Sequence, residues 1–299
     1  MINSVSTRQQ DLMRKYGALG AGLAIGMVIP AYTVYDSLKK MTPDKAKYDA
    51  DSFQKLMPVT DTFENIKPVA EKVLKESGLK AKGVKLTFID GTKESLEHLK
   101  NLCESEVGIK NSFQRRIKDN YFETLKNGAN AIFFPKNNEC IVHTKKSYDS
   151  VFHEMGHAMN KNGNFITKAL KKTRILTPFE ASIVAPIALA TALLHKVDKT
   201  KPKERKSFFE KTNDFIAKNA VGLTALSYVP ILAEEGLASI RGLKAVKPHV
   251  SKEVFGKLAK NYTIAWRSYG LIAAGVTAGV AAGINIAKYI KNTDNNKSV

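Results

Sequence analysis

The segment His153-Glu154-Met155-Gly156-His157 is the most informative stretch of this chain. On an α-helix, residues four positions apart lie on one face, so both imidazoles can bind the same metal ion. Glu154 projects beside them, where it can hold and deprotonate a water molecule. With six histidines in 299 residues, a chance match is expected in about one such chain per hundred or fewer. The segment therefore predicts a metal-binding helix that also carries a general base.

The residues before this helix have the pattern of a small sheet. Val84–Ile89 alternates polar and apolar residues and ends at an Asp-Gly turn, which predicts a strand. Two short apolar runs, Ala131–Phe134 and Cys140–His143, flank the turn-forming segment Pro135–Glu139 and predict a hairpin. We therefore expect a few strands within an otherwise helical chain, a mainly helical α+β fold.

Helical patterns account for most of the remaining central region. Residues 61–77 and 92–126 have apolar stripes typical of amphipathic helices. The helix that contains the two histidines is predicted to run from Tyr148 to Asn160, with Ser147 as its N-terminal cap and Asn162-Gly163 after its end.

A catalytic zinc ion needs a third protein ligand and an open position for water. Candidates downstream of the motif are His195, Glu234, Glu235 and His249. Glu235 is the best of these, because Ala238 shares its helix face and would let the carboxylate helix pack closely on the histidine helix. Glu234 is a direct competitor for the same role.

Together these segments resemble the gluzincin metallopeptidases, and within that group the membrane-bound HtpX-like and CAAX-protease-type enzymes. The resemblance covers Gly128–Gly242 and rests on the H-E-x-x-H helix, the later Glu-x-x-Ala segment and the strand that begins at Asn130-Ala131. It implies a zincin-like catalytic core that binds Zn²⁺. It also implies a site with these residues: the metal ligands His153, His157 and Glu235, and the base Glu154.

The resemblance further implies how a substrate is bound. The strand residues Ala131, Ile132 and Phe133 would offer their edge to an extended peptide. Ser239 stands where the family often has Asp, which orients the first ligand histidine through a hydrogen bond. A serine hydroxyl can accept the same bond without supplying charge, and Glu234 is the alternative residue for this role.

Two uncharged stretches of 20 residues are long enough to cross a hydrocarbon core as helices: Tyr16–Tyr35 and Ser268–Ala287. We predict a membrane anchor near each end and three regions: 1–40 with an anchor at 16–35, a catalytic domain at 41–265, and a glycine-rich membrane helix with a tail at 266–299. The shorter apolar runs 181–195 and 219–233 are either a membrane hairpin or buried helices.

Glycines recur every four residues in the last stretch, at Gly275, Gly279 and Gly283. Such a face lets a second helix approach closely, so we expect pairing of the terminal helices or a homo-oligomer. The net charge of +19 suits an anionic bilayer surface, and no nucleic-acid motif is present. Lys-rich flanks at 39–47 and 252–267 favour a cytoplasmic catalytic region.

The prediction is a membrane-associated zinc-dependent metalloendopeptidase that hydrolyses peptides or segments of membrane proteins. The alternative is a non-enzymatic membrane scaffold, or self-associating protein, with a structural or degenerate zinc site. The reaction also requires a donor for the developing oxyanion. The sequence leaves four candidates for it: Tyr228, Arg241, His249 and Tyr262.

Overall fold

The computed structural model describes residues 60–108, 112–128, 130–165, 167–168, 178–195, 200 and 202–295. The predicted anchor at 16–35 lies outside these residues. The described residues divide into two compact units. The first contains residues 178–229 and 270–295, and the second contains residues 60–168 and 230–269.

The second unit contains a three-stranded sheet. Its strands are β1 (Lys85–Ile89), β2 (Ile132–Phe134) and β3 (Glu139–His143), in the order β1-β3-β2. β3 pairs with β1 in parallel and with β2 in antiparallel orientation, so the predicted strand and hairpin are both confirmed. Among the described residues β2 pairs with β3 alone, which places it at an edge of the sheet.

This unit contains the helices α1 (Phe63–Glu76), α2 (Lys93–Val107), α3 (Ser112–Lys126) and α4 (Val151–Lys161). They confirm the helical patterns predicted for 61–77 and 92–126, and α4 carries the two histidines. The N-terminus of α1 is capped by the Thr62 hydroxyl, which accepts a hydrogen bond from the Asn65 N–H.

All five residues of β3 are buried, because both faces of the strand are covered. Cys140 and Val142 belong to one apolar cluster with Phe152 and Met155 of α4. Ile141 belongs to a second cluster with residues of α2 and α3. The apolar residues of α4 thus pack this helix on the sheet. Residues 140–142 are all apolar because both faces of β3 are buried.

Ser147 does not cap the histidine helix. Its backbone is left-handed, with φ at 52°, and its hydroxyl donates to the carbonyl oxygen of Gly128 at 3.0 Å. A short 3₁₀ turn at Tyr148–Ser150 comes next, so α4 begins at Val151 instead of at the predicted Tyr148. The predicted end of the helix is confirmed, since the Asn162 N–H donates the last helical hydrogen bond to the Ala158 carbonyl.

Three helices follow: α5 (Pro178–Leu194), α6 (Phe208–Val246, 39 residues) and α7 (Lys252–Asn295, 44 residues). By length and composition, Phe208–His249 and Lys252–Tyr289 are the two described stretches long and apolar enough to cross a membrane. The apolar helix expected near the C-terminus is therefore present. The apolar run 219–233 lies inside α6, which continues beyond it through Glu234 and Glu235.

In the first unit, one face of α7 is buried at helical spacing. The residues of this face are Ala273, Val276, Gly279, Val280, Gly283 and Ala287. Other apolar side chains of this unit point outward, and Phe208, Phe209 and Leu271 are each more than 70% exposed. Exposed apolar side chains on long helices are typical of a surface that contacts lipid.

Candidate metal centre

Two glycines bring α4 and the second-unit part of α6 into direct backbone contact. A Cβ atom on Gly156 would lie 1.9 Å from the carbonyl oxygen of Ala238, and one on Gly242 would lie 2.1 Å from that of Phe152. Both distances are far below van der Waals contact, so only glycine permits this approach. The close packing expected at Ala238 is present, but the space comes from these two glycines. In the sequence, a glycine within an amphipathic helical pattern could have indicated such a close helix contact.

Three potential ligand atoms converge where the helices cross. His153 Nε2 lies 3.0 Å from His157 Nε2 and 3.2 Å from Glu235 Oε2, and the latter two atoms are 3.7 Å apart. Tetrahedral zinc with bonds of about 2.0–2.1 Å places its ligand atoms about 3.3 Å from one another. The two imidazoles and the carboxylate thus match Zn²⁺ in both chemistry and spacing.

Glu154 lies beside the two histidines and is buried, with 5% of its surface exposed. One of its carboxylate oxygens and one ring nitrogen from each histidine lie within 4.8 Å of one another. The carboxylate is therefore close enough to the two ring nitrogens to contact a water molecule at the same site. The position is the one expected for a general base.

The second ring nitrogen of each histidine also has a partner. His153 Nδ1 lies 3.0 Å from Ser239 Oγ, the contact expected from the position of Ser239 in the motif. His157 Nδ1 lies 2.7 Å from Glu234 Oε1. Glu234 therefore contacts the other histidine and does not replace Ser239, while Glu235 is the residue directed at the Nε2 atoms.

Burial and charge act in opposite directions on His153. Burial lowers the pKa of His153, but the hydrogen bond to Glu235 and the negative charge of Glu154 outweigh it, so the net pKa is raised. Glu154, Glu234 and Glu235 are all at most 5% exposed. Three buried carboxylates thus lie beside two imidazoles, and a bound divalent cation would compensate the charge of such a group.

Tyr262 of α7 fixes the first turn of α4. Its hydroxyl accepts a hydrogen bond from the His153 N–H at 3.0 Å and donates to the Asp149 carbonyl at 2.7 Å. Its ring meets the His153 ring edge-on. The Asp149 carboxylate accepts hydrogen bonds from Asn261 and Thr60, and burial raises its pKa. Sequence spacing gave no signal for this contact, since 109 residues separate Tyr262 from His153.

The remaining candidate residues have other hydrogen-bond or ion-pair partners, or are buried. His195 Nε2 lies 2.6 Å from Asp214 in the first unit, and His249 Nε2 lies 3.0 Å from Glu76. Of the four proposed oxyanion donors, Arg241 donates to the Met159 carbonyl, at the end of α4. His249 and Tyr262 have the partners given above, and Tyr228 is buried in the first unit.

The predicted substrate strand has its side chains turned into the protein. Ala131 and Phe133 are buried in the cluster that contains α4, and Ile132 packs against the opposite cluster. What β2 can offer a peptide is therefore its backbone edge.

Comparison of the chain with protein families, characterised proteins and solved structures found no match. The case for a function rests on the motif and on this geometry.

Proposed function

We propose that this protein is a membrane-associated, zinc-dependent metalloendopeptidase with a gluzincin-type site. The observation that carries the proposal is the convergence of His153 Nε2, His157 Nε2 and Glu235 Oε2. Two of these groups come from one helix and the third from a residue 82 positions beyond His153. The carboxylate of Glu154 beside them supplies the base that a hydrolase of this kind requires.

His153, His157 and Glu235 would hold the ion. Zinc, when bound, supplies a Lewis acid that makes water a stronger nucleophile at neutral pH and polarises the scissile carbonyl. Glu154 accepts a proton from the attacking water and delivers it to the leaving nitrogen. Because Glu154 is buried, its carboxylate is held close to the reacting atoms with little competing water.

The substrates proposed are peptides or membrane-protein segments in extended conformation. The strand edge that begins at Ala131 and includes Ile132 and Phe133 of β2 would accept such a segment as an additional antiparallel or parallel strand. The apolar lengths of α6 and α7 support integral attachment to a bilayer. The Lys-rich flanks favour a cytoplasmic catalytic region.

The test uses the full-length protein in detergent micelles, with zinc content measured by mass spectrometry and proteolysis measured on an unfolded protein such as casein. We expect one zinc per chain, and activity that a chelator removes and added zinc restores. Glu154→Gln should abolish proteolysis and keep the zinc. The matched control is Glu97→Gln, an exposed helix position on α2 that should retain full activity.

Each result has a definite meaning. A wild-type chain without zinc would contradict the metal site. Proteolysis that persists in Glu154→Gln would contradict the proposed base. Zinc binding without proteolysis in the wild-type chain would favour the scaffold alternative, in which the site has a structural role.

A further inference from the structure

The two histidines of the centre have chemically different partners at Nδ1. His157 faces the carboxylate of Glu234 at 2.7 Å, and Glu234 is only 1% exposed. His153 faces the neutral hydroxyl of Ser239 at 3.0 Å. One imidazole is therefore supported at Nδ1 by a buried carboxyl group and the other by a hydroxyl group.

Glu234 is held in place from a second side. Asn160 Nδ2 lies 3.3 Å from the backbone oxygen of Glu234 and 3.4 Å from Oε1. Asn160 is fully buried and follows His157 by three residues, so both side chains project from the same face of α4. The Glu234 carboxylate is thereby fixed against Nδ1 of His157. One Glu234 oxygen, one Glu235 oxygen and one His157 ring nitrogen also lie within 4.8 Å of one another.

This arrangement determines which ring nitrogen of His157 is available. When Nδ1 donates its proton to a carboxylate, Nε2 keeps the lone pair that binds a metal ion. A hydrogen bond to an ionised acceptor is roughly twice as strong as one to a neutral acceptor. The contact at His157 should therefore orient the imidazole more firmly than the contact at His153.

We propose that Glu234 is a positioning residue for His157 and contributes more to metal affinity than Ser239 does. The inference rests on the proposed function, because it assumes that the Nε2 atoms face a metal ion. The two adjacent glutamates would then have different roles: Glu235 supplies an oxygen ligand, and Glu234 orients His157.

The experiment measures zinc affinity of the full-length protein by competition with a chromogenic chelator. The three variants are Glu234→Gln, Ser239→Ala and Glu235→Gln. We expect Glu234→Gln to weaken zinc binding by about 10- to 100-fold, the range typical of such outer partners, and Ser239→Ala by less than about 10-fold. The cobalt-substituted protein gives a second reading, since its visible absorption reports the donor atoms. Glu234→Gln should preserve the wild-type band positions, and Glu235→Gln should shift them.

A purely structural role for Glu234 would lower the melting temperature of the zinc-free chain without changing the zinc dissociation constant. That result would overturn the inference, as would equal losses in Glu234→Gln and Ser239→Ala. A cobalt spectrum of Glu234→Gln that shifts as Glu235→Gln does would make Glu234 a ligand and would also overturn it. If the wild-type chain binds no zinc, the proposed function itself fails.

A further variant, Ser239→Asp, tests the inference by zinc affinity if Glu234→Gln does not fold. Ser239→Asp places a carboxylate at Nδ1 of His153 in place of the hydroxyl group, and the same reasoning predicts tighter zinc binding than wild type. Unchanged or weaker binding in a folded Ser239→Asp chain would contradict the argument from charge.

Discussion

Substitution of Gly156 by Ala tests whether the backbone contact between α4 and α6 builds the metal centre. The added Cβ would lie 1.9 Å from the Ala238 carbonyl oxygen, and a Cβ atom essentially never lies within 3.0 Å of a non-bonded heavy atom. The two backbones must therefore separate by about 1 Å, because a carbonyl oxygen within a helix cannot rotate away. Overpacking of this kind typically costs about 1–3 kcal/mol of unfolding free energy.

The same displacement acts on the ligands. Gly156 lies between His153 and His157, and Ala238 lies one helical turn beyond Glu235, so separation of the helices moves Glu235 Oε2 away from the imidazoles. Metal–ligand distances tolerate only about 0.2 Å of variation. We expect zinc affinity to fall by at least about 100-fold, which corresponds to about 2.7 kcal/mol.

Zinc affinity is measured by chelator competition, and stability by chemical denaturation of the zinc-free chain in detergent. The matched control is Gly256→Ala on α7, where no heavy atom lies within 4 Å of the new Cβ. Relative to glycine, alanine favours the helix at that exposed position by up to about 1 kcal/mol, and zinc affinity should not change. Wild-type zinc affinity and stability in Gly156→Ala would refute the reasoning.

Two further predictions concern the contacts that hold the start of α4. Tyr262→Phe removes the hydroxyl that accepts from the His153 N–H and donates to the Asp149 carbonyl. We expect a loss of about 1–3 kcal/mol in unfolding free energy by chemical denaturation, because two hydrogen bonds are lost; an unchanged value would contradict this role. Asp149→Asn tests the raised pKa of Asp149, which burial causes. A carboxyl group whose folded pKa is raised loses stability as pH increases from its unfolded value near 3.8 through the folded value. The stability of Asp149→Asn relative to wild type should therefore be greater at pH 7.5 than at pH 4, and a difference independent of pH would contradict the assignment.

Local patterns predicted the elements of the second unit well. Alternation of residues in Val84–Ile89 and the paired runs around Pro135 correspond to β1, β2 and β3. Helical spacing placed both imidazoles on one face of α4. These predictions succeeded because side-chain direction along a helix or strand is set by the backbone period alone.

The same approach failed where a contact between distant segments decided the outcome. Ser147 has the composition of a helix cap, yet its hydroxyl binds Gly128 and a 3₁₀ turn precedes α4. The apolar run 219–233 and the helix that carries Glu235 were treated as separate segments. The structure joins them in one helix, α6, which continues through Glu234 and Glu235.

By itself, the sequence determined the candidate residues: two histidines and a glutamate within one helical turn, and a pair of glutamates downstream. It favoured Glu235 and left Glu234 as a competitor, because their chemistry is identical and their positions differ by one residue. Only the tertiary structure shows how each carboxylate is oriented. Where α4 and α6 cross at Gly156 and Gly242, the Glu235 carboxylate points at the Nε2 atoms and the Glu234 carboxylate at Nδ1 of His157. That orientation depends on how the two helices pack, and the residue spacing within one helix does not specify it.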